Sequence, residues 1–106
     1  MTEKLIRDGK VAVLCSASFD EAGWSTWGSA EDAEKMAFCP ELVEAVIAGD
    51  KKLSKKIAED KFPQELDGGV YDLEVEWVQA GRRFKIKQND GYEYISFNDA
   101  DNGYIA

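Results

Sequence analysis

Histidine is absent from all 106 residues, which removes imidazole as a general base, proton shuttle or metal ligand. Cysteine occurs only twice, too seldom for a four-thiolate zinc site. Cys15, inside an apolar run, reads as a small buried hydrophobe. Cys39 precedes Pro40 at the start of an expected helix, where the dipole favours a thiolate, but no partner base is in sight. Long apolar runs are also missing. The longest, Val11-Ala12-Val13-Leu14-Cys15, is far short of the roughly 20 residues that span a bilayer. No apolar stretch follows a basic start, so no signal peptide is expected and the cytoplasm is the expected location. Bases are scarce as well, 13 against 21 acids for a net charge of −8. Phosphate neutralisation needs clustered Lys and Arg, and only Lys51–Lys56 offers such a cluster. Neither direct nucleic-acid binding nor a membrane partner is expected, and no Walker or G-x-G-x-x-G pattern offers a phosphate cradle. No cofactor and no metal are expected.

What is present suffices for one folded domain over residues 1–106. Apolar residues make up 44%, enough to resist disorder despite the charge, and a chain of this length builds a single core. Val11 to Ser16 reads as a buried strand after the turn signal Asp8-Gly9. Ala17 to Gly28 is a loop rich in Ser, Gly and aromatics. Ser29 is a good N-cap for a first helix ending near Phe38, because Pro40 pushes Cys39 out of helical geometry. Pro40 then starts a second helix with Leu42, Val43, Val46 and Ile47 on one stripe. Gly49 stops it, and Asp50 caps a third helix carrying Leu53, Ile57 and Ala58 inward.

Beyond Pro63 the period changes from helical to alternating. Asp72 to Trp77 and Arg83 to Lys87 each alternate as strands with one wet face do. Asp90-Gly91 is a two-residue hairpin signal leading into Tyr92 to Phe97, and Gly103-Tyr104-Ile105 adds a short edge. Pairing of the first two strands would set Glu76 opposite Arg83 and Glu74 opposite Lys85, or shift these partners by one pair, with acids facing bases in either register. The Asp90-Gly91 turn would set Ile86 opposite Ile95 and Phe84 opposite Phe97. One apolar face then results, made of Leu73, Val75, Trp77, Phe84, Ile86, Ile95 and Phe97. The expected fold is α+β with two layers, an antiparallel sheet of four to five strands and three short helices on one face.

Enzymatic chemistry finds little support. Glu74 and Glu76 share a strand face, but bases expected across the sheet hold both ionised, a poor arrangement for a general acid. Asp99 to Gly103 resembles part of a calcium loop, yet the glycine comes one place early, so a polar turn is expected. The most unusual segment is Phe19 to Gly28, lying between a buried strand and a helix start, where ligands are often held. Phe19, Asp20, Glu21, Trp24 and Trp27 there, with Glu31, Asp32 and Glu34 on the following helix, form the candidate partner-binding set. One rival assignment makes both tryptophans anchors of the loop over the core. A second makes Trp24 and Trp27 a stacking site for a small nucleotide-like molecule. A third reads the acids of the first two helices, Glu41 and Glu44 included, as a DNA-mimic surface that inhibits a nucleic-acid-binding protein. An exposed tryptophan face would equally close a homodimer.

The opening run Lys4-Leu5-Ile6-Arg7-Asp8-Gly9-Lys10-Val11-Ala12-Val13-Leu14 resembles that of an uncharacterised family of small bacteriophage-encoded proteins. The similarity extends through Gly23-Trp24, Trp27, Pro40-Glu41-Leu42-Val43, Gly68-Gly69, Glu76-Trp77, Phe84 and Asp90-Gly91. The chain departs from it at Ala17-Ser18-Phe19-Asp20-Glu21, in place of a Pro-Gly-type stretch, and at Cys39, in place of Asp. The family has no assigned activity, so the resemblance implies a setting rather than a site. That setting is a phage-encoded accessory protein acting in the host cytoplasm, and the missing catalytic apparatus, the compact size and the acidic surface add the expectation that it is non-enzymatic and binds and modulates a host protein.

Overall fold

A computed structural model describes residues 2–18, 23–65 and 72–106. The chain folds into β1 (Ile6–Arg7), β2 (Lys10–Ser16), a 3-10 turn (Ser25–Trp27), α1 (Ala33–Phe38), α2 (Pro40–Ile47) and α3 (Lys51–Lys61). It continues with β3 (Leu73–Gln79), β4 (Arg83–Asn89), β5 (Tyr92–Ser96), a second 3-10 turn (Ala100–Asn102) and β6 (Tyr104–Ile105). The expectation of an α+β fold holds. The single sheet does not, because the strands divide into two antiparallel sheets ordered β1-β2-β3 and β5-β4-β6.

The division follows from β2. Its residues 11 to 15 are apolar without a break, and each is buried, so both faces of the strand need cover. Ala12 and Leu14 pack with Leu42 and Val43 of α2, Ala58 of α3, Trp24 and Phe62. Val11, Val13 and Cys15 point the other way, onto Phe84, Ile86, Ile95 and Tyr104 of the second sheet. Helices α2 and α3 thus cover one face of the first sheet and the second sheet covers the other. Helix α1 serves both cores, with Met36 in the first and Ala37 and Phe38 in the second.

The pairing of β3 is the main departure from expectation. It lies antiparallel to β2, with Leu14 opposite Val75 and Val13 opposite Glu76, and not beside β4. Glu74 and Glu76 therefore do not face Arg83 and Lys85. After Gln79 the chain turns sharply at Gly81, whose φ is +86°, and enters the second layer. The expected seven-residue apolar face is split. Leu73 and Val75 join the helix-side core, Phe84, Ile86 and Ile95 join the other, and Trp77 and Phe97 stay largely exposed.

Local signals translate directly into structure. Asp90 and Gly91 both take positive φ, the geometry of a type I′ hairpin turn, and Ile86 stands opposite Ile95 as expected. The β4–β5 pairing runs from Lys85–Ser96 to Asn89–Tyr92 in the expected register and stops one pair short of Phe84 and Phe97, while on the other side of β4 Phe84 stands opposite Tyr104 of β6. Asp8-Gly9 makes a second such turn, pairing Arg7 with Lys10 and adding the unforeseen strand β1. Pro40 opens α2 directly after α1, so the two helices form one rod bent at Cys39. The Asp50 carboxylate caps α3 by accepting from Leu53 N–H at 3.0 Å. On α3 the inward face is Ser54, Ile57 and Ala58, while Leu53 is exposed.

Candidate functional site

The loop between β2 and α1 was the segment richest in unusual residues, and its described part, from Gly23 onward, is organised by a residue far away in sequence. Glu93 on β5 has the same parity as Ile95, so its side chain points inward, where it is 3% exposed. One carboxylate oxygen accepts the Ser16 N–H at 2.8 Å. The other accepts the Trp24 N–H at 2.9 Å, the Thr26 N–H at 2.9 Å and the Thr26 hydroxyl at 2.5 Å. No basic side chain takes part. The Ser16 amide lies on the side of β2 that the short β1 does not reach, so Glu93 closes an otherwise open strand end. A buried carboxylate is costly unless every lone pair finds a donor, and here the donors come from two backbone segments that it fastens together.

This clamp sets the two tryptophans apart. Trp24 is 1% exposed. Its indole N–H donates to the Met36 carbonyl at 2.7 Å, and its ring meets Phe62 edge-on at 5.9 Å between centroids. It is a core anchor, which corrects its place in the partner-binding set. The same burial leaves no free ring face for a nucleotide to stack between Trp24 and Trp27. Trp27 is 53% exposed on a turn whose Trp24, Thr26, Trp27 and Gly28 amides all donate hydrogen bonds. A Cβ on Gly23 would stand 2.5 Å from the Thr26 hydroxyl and 2.8 Å from Trp27 Cδ1, so glycine is needed for this close approach. The Trp27 ring thus lies close to Gly23 and is about half open.

Phe19, Asp20 and Glu21 lie outside the described residues. Of the acids after the turn, Glu31 and Glu34 are exposed and Asp32 is half-buried. Glu34 accepts a hydrogen bond from the Thr2 hydroxyl at 2.5 Å. Glu41 and Glu44 are not a free acidic surface, since Lys61 lies 3.3 Å from Glu41 and Arg7 lies 2.7 Å from Glu44. Lys51 and Lys55 of α3 likewise approach Asp72 and Glu59. Three of these four pairs join different segments of the chain, and the fourth lies within α3.

Both cysteines are free thiols and both are buried. The Cys15 thiol is pushed far up from its ordinary value by burial and then by the carboxylates of Glu93, Glu76 and Glu74, so it stays protonated and inert. Cys39 is buried beside a cavity of about 340 Å³ whose lining also includes Thr2, Lys35, Lys61 and Phe62. No group of three or more acidic or cysteine side chains could hold a metal ion among the described residues, and none of their helices is long and apolar enough to cross a membrane.

Glu93 was absent from the sequence-based set. The signal that could have found it is parity, since the alternation placing Ile95 inward also places Glu93 inward, with Gln88 rather than a base across the strand. Compared with protein-family models, curated proteins and solved structures, the chain has no match in any of the three.

Proposed function

We propose that the protein is a non-enzymatic binding module that docks on another protein through Trp27 and the acids that follow it. The observation that carries this reading is the contrast within one short loop. Trp24 is sunk in the core, whereas Trp27, three residues on, is half open on backbone locked by Glu93. Large aromatics that are rigid before binding lose little entropy on contact and dominate interface energies. Glu31 and Glu34, exposed within seven residues of Trp27, favour a basic rim on the partner. In keeping with the resemblance to small phage-encoded proteins, that partner would be a protein of the bacterial host cytoplasm, which binding would modulate.

The test is capture from bacterial host lysate with the wild-type chain and with Trp27→Ala in parallel. A stoichiometric protein retained by the first and lost by the second is the expected outcome. Equal recovery by both, or none at low salt, would overturn the assignment. Turnover of a substrate by purified, metal-free protein would overturn its non-enzymatic part.

A further inference from the structure

Strand β3 is an edge. The order of the first sheet is β1-β2-β3, and among the described residues nothing pairs with the outer side of β3. The ladder settles which of its groups are free. Ala17 N–H donates to the Asp72 carbonyl while Ala12 N–H turns away to Leu5. By alternation, Glu74, Glu76 and Val78 point their backbone groups at β2, and Leu73, Val75 and Trp77 point theirs outward. Three successive outward sites of this kind form a template for another strand.

The side chains along this edge define what would suit it. On the helix side a groove of about 340 Å³ is lined by Val46, Ile47, Leu73, Glu74 and Val75. Ile47 in this lining is 44% exposed, and Trp77, beyond the groove but on the same strand face as Leu73 and Val75, is 40% exposed. On the other side Glu74 and Glu76 are exposed, spaced about 7 Å apart as alternate strand residues are, and neither forms an ion pair among the described residues. A second copy of β3 suits the edge poorly. The full-length two-fold register sets Glu76 against its own copy, and the neighbouring register toward Leu73 sets Glu74 against Glu76; like charges directly opposite are destabilising.

We infer that the β3 edge is a docking site for an extended peptide segment in which Lys or Arg alternates with apolar residues, added as a fourth strand. Its cations would face Glu74 and Glu76, its apolar residues would enter the groove beside Ile47 and cover Trp77 further along the strand, and its backbone would bond to Leu73, Val75 and Trp77. The chain contains one segment of this pattern, Arg83-Phe84-Lys85-Ile86-Lys87, which the second sheet already uses. A synthetic peptide of residues 82–88 is therefore a suitable probe. This site is separate from Trp27 and does not rest on that assignment.

The experiment titrates the full chain with this peptide and follows amide hydrogen exchange by NMR. Slower exchange at Leu73, Val75 and Trp77, but not at Glu74 and Glu76, is the expected pattern. Glu74→Lys combined with Glu76→Lys changes only exposed side chains; it should weaken the peptide about tenfold or more and create binding to a peptide with Glu at each basic position. Trp27→Ala should leave peptide binding unchanged, which separates this inference from the reading of the loop. No binding, equal binding of both peptides to the wild type, protection elsewhere, or a dimer that already shields the edge would each overturn it.

Discussion

At the scale of single residues, Glu93 carries more of the structure than any other polar group described. Its carboxylate accepts three backbone N–H groups and one hydroxyl, and leaving buried donors without an acceptor costs roughly 1–3 kcal/mol each. Glu93→Ala should therefore destabilise the fold by about 3–5 kcal/mol, and Glu93→Gln by about 1–3 kcal/mol, since an amide oxygen can keep only some of the bonds. Urea unfolding measures both. Trp27→Ala should change stability by less than about 0.5 kcal/mol, because an exposed side chain contributes little to the core. Cys15 gives the fold a pH limit. Its thiol is raised above the ordinary 9.0, so the unfolded chain loses this proton first as pH rises. The stabilisation is complete below about pH 9 and falls above it by about 1.4 kcal/mol per pH unit. Tyr104, raised above 10.0 by burial and then by Glu34 and Glu93, acts in the same direction at higher pH. Cys15→Ala should flatten the slope between pH 9 and pH 10, as read from denaturant midpoints across that range.

Among the elements, turns and caps behave as local chemistry dictates. Asp90 and Gly91 sit at φ values of +51° and +89°, which glycine adopts freely and other residues do not. Gly91→Ala should lower stability by about 1–2 kcal/mol, whereas Asp90→Asn, favoured in this turn type, should leave the melting temperature unchanged or higher. The hairpin, the Pro40 bend, the Gly49 stop and the Asp50 cap were all legible because each depends on neighbours within a few residues. The partner of β3 was not legible by the same means. Glu74 and Glu76 would have found Arg83 and Lys85 in the nearest antiparallel arrangement, and cross-strand charge pairs contribute only about 0.2–1 kcal/mol each. Burying both sides of Val11 to Cys15 outweighs them, since each large apolar side chain covered contributes about 1.5–3 kcal/mol. The apolar run itself announced that demand, and a single layer of helices could meet only half of it. In the loop, the parity of Glu93 was legible; the different fates of Trp24 and Trp27 were not, because nothing local distinguishes them.

For the molecule as a whole, the consequence of this arrangement is that β2 belongs to two cores at once. Its even residues pack against helices and its odd residues against the second sheet, and Glu93 ties that sheet to the end of β2 and to the Trp24 turn. A radius of gyration of 12.5 Å matches the roughly 13 Å of one folded unit near 100 residues, so the layers leave little room to separate. Unfolding of either core should remove the support of the other. Val13→Ala tests this directly, because Val13 belongs to the core on the second-sheet side and its truncation should cost about 2 kcal/mol. If β2 couples the layers, native-state hydrogen exchange will show the same loss of protection in α2 and α3, which pack on the other core, as in β4 and β5. A loss confined to β4 and β5 would instead mean that the second sheet opens alone while the helices hold to the first, and that Glu93 is a latch between separable layers rather than part of one cooperative unit.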